Sequence, residues 1–143
     1  VRDHGADGFV TGALTKSGAL DESFLQRMLD AAGALPITFH RAFDVCAKPL
    51  EVFDRLLELG VQRLLTSGQA PRVEEGADLL ADLVQRAGDR MVVMPGGGLR
   101  EETAAALAAR VQAHEYHGSA SRPVAGPLEF PARVADESRV ARL

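Results

Sequence analysis

Short apolar runs alternate along the chain with stretches whose apolar residues recur every three or four positions. Residues 9–14 (FVTGAL) read as a first strand. Asp21 then caps a helix with Phe24, Leu25, Met28 and Leu29 on one face. Pro36 sets off a second strand, residues 37–40, and Pro49 opens a helix that presents Leu50, Phe53, Leu56 and Leu57 and stops at Gly60. Residues 61–67 form a third strand, and residues 73–87 a helix burying Ala77, Leu80, Leu83 and Val84. Residues 91–94 are all apolar, as in a strand covered on both faces. An Ala-rich helix over Glu101–Val111 and a short fifth strand at residues 115–118 complete the series.

Three helix ends share one design, with Ala32-Gly33, Leu59-Gly60 and Ala87-Gly88 each standing a few residues before the next strand. Such short returns favour parallel strands joined by helical crossovers, so the class is α/β. Two architectures accept the repeat of about 25–30 residues: a five-stranded doubly wound, flavodoxin-like sheet, or part of a (β/α)8 TIM barrel. The first is normally complete at this length, whereas a whole barrel needs about 250 residues. Residues 1–120 make one domain on this reading. Residues 121–143, beginning Ser121-Arg122-Pro123, follow as a poorly packed, helical C-terminal tail.

Composition narrows the setting. The 143 residues are 46% hydrophobic and 25% charged, ordinary for a globular domain. A net charge of −4 with scattered basic residues argues against a nucleic-acid surface, and no apolar run approaches the ~18 residues of a membrane span. One cysteine excludes an internal disulfide and suits a reducing compartment, so a cytoplasmic location is expected. The chain opens at Val1, in what reads as the last turn of a helix stopped by Gly5, and residues are expected upstream.

Candidate chemistry collects at the C-terminal ends of the strands, the edge on which both architectures build their sites. Thr38, His40, Arg41 and Asp44 follow the second strand; Thr66, Ser67 and Gln69 the third; Gly96, Gly97 and Gly98 the fourth; His117, Gly118 and Ser119 the fifth. Strand alternation sends Ile37 and Phe39 to one side and Thr38 and His40 to the other. An imidazole's ordinary pKa lies near neutrality, so His40 suits an acid or base, a metal ligand, or a core histidine bonded to backbone. Arg41 is either an anion clamp or a partner of Asp44. The glycines bare backbone N–H groups before a helix, as phosphate or carboxylate binding requires, although Glu101 and Glu102 already complement that helix end. No Walker sequence or full dinucleotide glycine pattern occurs. Alternation also allows an Arg63–Glu115 pair on the concave face, or separate surface positions for the two. Cys46, His4 and His114 carry no pattern that singles them out.

The set Gly5-Ala6-Asp7-Gly8-Phe9-Val10 leading to Gly12-Ala13-Leu14, Thr38-Phe39-His40-Arg41-Ala42-Phe43-Asp44, Leu65-Thr66-Ser67-Gly68-Gln69-Ala70, Met94-Pro95-Gly96-Gly97-Gly98 and Glu115-Tyr116-His117-Gly118-Ser119 resembles the CutC copper homeostasis family over about residues 5–120. The resemblance implies a (β/α)8 barrel, of which this chain would hold strands four to eight. It also implies a cytoplasmic role in copper homeostasis, with copper the only cofactor suggested and no metal ligands assigned. Three readings stand beside one another. One is a copper-handling protein. Another is a barrel enzyme acting on a small phosphorylated or carboxylated metabolite, with His40, Arg41 and Asp44 catalytic and residues 96–98 and 117–119 holding the anion. The third is a truncated, inactive barrel. Open strand edges lead to an expectation of self-association or a homo-oligomer, with neither nucleic acid nor membrane as partner.

Overall fold

The computed structural model describes residues 5–119 and the backbone of two later strands, residues 121–124 and 132–135. β1 (Phe9–Thr11), β2 (Ile37–Phe39), β3 (Arg63–Thr66) and β4 (Val92–Pro95) form one parallel sheet in the order β1-β2-β3-β4. Thr11 pairs with Phe39, Phe39 with Leu64, and Leu64 with Val93, which sets a continuous register. A doubly wound sheet must reverse its strand order. None of these four strands does, which removes the flavodoxin-like alternative and leaves the sequential order of a barrel segment.

The fifth parallel strand is not formed. His117 makes only an isolated parallel bridge to Gly96, with His117 N donating to Pro95 O at 2.9 Å. Gln112 ends the preceding helix with φ of 56°, and the few residues left before His117 do not run beside β4 long enough to build a ladder. β1 is also shorter than its apolar run, because the chain turns back after Gly12 and Leu14 bridges Leu20 antiparallel.

The connecting helices are α1 (Glu22–Ala32), α2 (Pro49–Glu58), α3 (Ala77–Ala87) and α4 (Glu101–Val111). Asp21 caps α1 by accepting from Phe24 N at 2.9 Å, and Pro49 stands in the first turn of α2. α3 starts four residues later than its periodicity suggests, because Val73 N donates to Gly97 O rather than entering the helix. Gly33, Gly60 and Gly88 all take positive φ where a helix turns back to the sheet.

Side chains on alternate strand positions meet these helices. Ile37, Phe39 and Leu64 are fully buried, together with Leu25, Phe53, Leu56, Leu80 and Leu83 from the helices and Phe43 from the β2–α2 connection. The opposite sheet face is less covered: Thr38, Leu65, Val92 and Met94 are half-buried and Val10 is 68% exposed. β4 is therefore covered fully on one face, not on both as its apolar run suggests. Where a helical tail is expected, β5 (Ser121–Val124) pairs antiparallel with β6 (Ala132–Ala135); Pro123, confined to helix starts, sheet edges and bulges, disfavours a helix there. The rest of the tail lies outside the described residues. Among the described residues no helix is long and apolar enough to cross a membrane.

Candidate functional site

Asp44 is the hub of the C-terminal edge. The chain leaves β2 through a 3-10 turn, Arg41–Val45, which swings Asp44 over the end of β3. Its Oδ1 accepts from Thr66 Oγ1 (2.5 Å), Ser67 N (3.0 Å) and Gln69 N (3.3 Å). Its Oδ2 accepts from Arg41 Nε (2.6 Å) and Ser67 Oγ (2.9 Å). Burial by itself would raise this carboxyl, but the bonds from Thr66, Arg41 and Ser67 together outweigh it and hold Asp44 below the ordinary carboxylate range. Asp44 thus stays ionised with both oxygens occupied, which suits an orienting group better than an acid or base.

Arg41 is oriented by that hub. Besides its bond to Asp44, its Nη2 donates to Ser67 Oγ at 2.9 Å. Two fixed donors leave the planar guanidinium little freedom, and it packs against Gly97 in the loop after β4. A Cβ built on Gly97 would stand 3.2 Å from Nη1 and 2.9 Å from Ser67 Cβ, and the residue's φ is +124°. Glycine is required there on both counts. Gly98 follows with φ of +84° and open space around it. The loop is braced from behind by Val73 N donating to Gly97 O and by Thr103 Oγ1 donating to Glu74 Oε1 at 2.6 Å. Burial would raise the Glu74 carboxyl, but the bond from Thr103, its own backbone and the charges of Arg100 and Arg72 lower it on balance.

Gln69 ties two loops together. Its Nε2 donates to Cys46 O (2.8 Å) and Phe43 O (3.2 Å), while its backbone adopts φ of 58°. A left-handed conformation is uncommon for such a residue, and here these bonds offset its strain.

His40 lies beside this hub rather than in it. Its Nδ1 accepts from Ala42 N at 3.0 Å, and its ring rests directly on Gly12, where a Cβ would come within 2.3 Å of Nδ1. An acceptor at Nδ1 assigns the proton of the neutral ring to Nε2. Thr38 sits one layer lower, in register with Val10 and Arg63. Arg63 donates through Nε and Nη2 to both carboxylate oxygens of Glu115, at 3.1 and 3.2 Å. That bond holds Glu115 below its usual range. The pair straps the segment after α4 across the sheet.

The sheet edge therefore brings together Arg41, Asp44, Thr66, Ser67, Gln69 and Gly97. His117 reaches the edge through Gly96, whereas His117 and Ser119 are exposed. Sequence reasoning missed Glu74 and Thr103, which carry no local signal; Gly12 entered only as part of the family resemblance, and its place under the His40 ring needed the structure.

The family model described as the CutC family matches residues 1–122. The chain belongs to the CutC family. It is 43% identical over 123 residues to the family protein CutC of Parabacteroides distasonis, covering 86% of this chain and 51% of that one. With the family protein CutC of Xanthomonas campestris pv. campestris the identity is 42% over 127 residues, covering 89% and 53%. The chain thus spans about half the length of the curated CutC relatives it matches. A crystal structure from Streptococcus agalactiae, provisionally described as the copper homeostasis protein CutC, superposes with a TM-score of 0.76 at 29% identity. That match covers 82% of this chain and 58% of the other.

Copper poses a direct test of these side chains. Cu(I) favours thiolate, thioether and imidazole donors. Cys46 is 6% exposed, burial pushes its thiol up, and its Sγ lies 3.3 Å from Gln69 Nε2. His40 Nδ1 is committed to backbone. Among the described residues no group of three or more His, Cys, Asp or Glu side chains is placed to hold a metal ion. The described donors of this CutC chain do not fit a copper centre.

Proposed function

We propose that this member of the copper-homeostasis-related CutC family binds a small phosphorylated or carboxylated molecule at the C-terminal edge of its sheet. The observation that carries the reading is the Arg41 guanidinium, fixed by Asp44 and Ser67 and packed against Gly97, with no hydrogen bond to its Nη1 among the described residues. An arginine held from two sides loses little entropy on gripping a further anion, which favours recognition over a mobile surface charge. Gly98, with open space around it, allows a ligand to approach the backbone closely, and residues 117–119 flank the same edge. His40, with its proton assigned to Nε2, is the candidate proton donor to a ligand oxygen.

Paired calorimetric titrations test this reading against copper handling. Phosphate or acetate should give a weak saturable response that disappears in Gly98→Asp, where a carboxylate repels the ligand. Cu(I) should give none that depends on Cys46. Stoichiometric Cu(I) binding abolished by Cys46→Ala, with no anion response, would reverse the conclusion.

A further inference from the structure

The first strand of the sheet has a neighbour on one side only. Phe9 N donates to Pro36 O and Thr11 O accepts from His40 N, so Val10, between them, turns its N–H and C=O away from β2. Among the described residues no strand pairs with that outward edge. The opposite edge of the sheet is different. His117 bridges Gly96 there, and Ala113 and His114 line a hollow with Val92 and Val93 of β4. Of the two open edges, β1 is therefore the one the fold leaves free.

Natural edge strands carry charges, prolines or bulges that turn a second strand away. Gly8-Phe9-Val10-Thr11-Gly12 has no charge and no proline. Val10 is 68% exposed, in register with Thr38, Arg63 and Val92 on the less covered sheet face. The chain spans about half the length of its curated relatives, and four of the eight strands of a full barrel are formed. What the free edge can pair with follows from its symmetry. An antiparallel pair centred on one residue is its own complement under a two-fold axis. With Val10 set against Val10, two copies exchange both outward backbone bonds of that residue. Gly8 then falls opposite Gly12 and Phe9 opposite Thr11, so no like charges face one another. A head-to-tail pairing would instead need the β4 edge, where residues 113–117 already stand. We propose that the β1 edge is a homodimer interface, at which two copies of this chain join antiparallel about Val10 into one continuous sheet.

Proline at position 10 tests the bond pattern without touching the ladder to β2, because the N–H it removes points outward. Sedimentation velocity over a wide concentration range should show a monomer–dimer equilibrium for the chain. Val10→Pro should associate at least about thirtyfold more weakly, the loss of one hydrogen bond from each copy. Its circular dichroism and urea midpoint should stay near those of the parent. Val10→Ile, with the N–H retained, should dimerise as the parent does. A second measurement does not depend on any variant folding. In hydrogen exchange the Val10 amide should gain protection as concentration rises, whereas the Phe9 amide, bonded to Pro36 O, is protected throughout. A chain that stays monomeric, a dimer unaffected by Val10→Pro, or a Val10 amide that exchanges equally fast at every concentration would overturn the proposal. So would a chain that is monomeric alone but binds the part of the Parabacteroides distasonis CutC protein that it does not match, since the edge then belongs to that segment.

Discussion

Asp44→Asn changes one charge and almost no volume, yet it should destabilise the chain substantially. Asp44 is 7% exposed and receives five donor groups. An asparagine keeps one acceptor oxygen, which can still serve Thr66, Ser67 N and Gln69 N. Its amide nitrogen then faces Arg41 Nε, donor against donor, and Ser67 Oγ must turn to Ala70 O, an existing alternative at 2.6 Å. The loss is one charge-assisted bond plus the charge component of the others, at about 1.5–3 kcal/mol for a bond to a charged group. Arg41 is 44% exposed, so solvent screens part of its share. A net cost of about 2–4 kcal/mol at pH 7 follows. Urea denaturation should show a lower midpoint with an unchanged slope. The folded carboxyl titrates below its unfolded value of about 3.9, so its contribution is fully present above that value and is lost as pH falls through the folded one. The gap between parent and variant should therefore narrow below about pH 4. A gap under about 1 kcal/mol at pH 7, or one constant from pH 7 to pH 3, would refute the hub as the organiser of this edge.

Two other outcomes test the packing around the edge. Gly76→Ala places a Cβ 1.9 Å from Ser67 O and 2.9 Å from Gly68 Cα, so it should cost at least about 3 kcal/mol; Gly60→Ala, in open space at φ +77°, should cost about 1 kcal/mol. Equal destabilisation by thermal melts would contradict the close approach of the two ends of the β3–α3 connection. The Cys46 thiol, buried and pushed up, should react with a disulfide reagent at pH 8 far more slowly in the native chain than in urea; equal rates would show it to be accessible.

Helix placement was readable from local signals because those signals act locally. Asp21 bonds a backbone group three residues away, Pro49 has no N–H to lose in a first turn, and glycine tolerates the reversal after α1, α2 and α3 at small steric cost. The parallel α/β class followed from their spacing, and the family from five short motifs in order. The candidate edge was legible as a list of polar residues, since strand ends in such sheets converge on one side.

What those residues do to one another was decided only in three dimensions. Asp44 and Thr66 are twenty-two positions apart, yet the register of β2 against β3 and the 3-10 turn at Arg41 bring them into contact. No local preference could distinguish Asp44 as a catalytic acid from Asp44 as an anchor, because its state depends on donors supplied by another loop. The fifth strand failed for a similar reason. Residues 115–118 have a strand-like pattern, but a ladder needs a neighbour of matching length, and the turn out of α4 leaves only His117 beside Gly96. Sequence fixes what each residue is able to donate, accept or bury; which of those capacities is used depends on neighbours that the chain brings close only by folding.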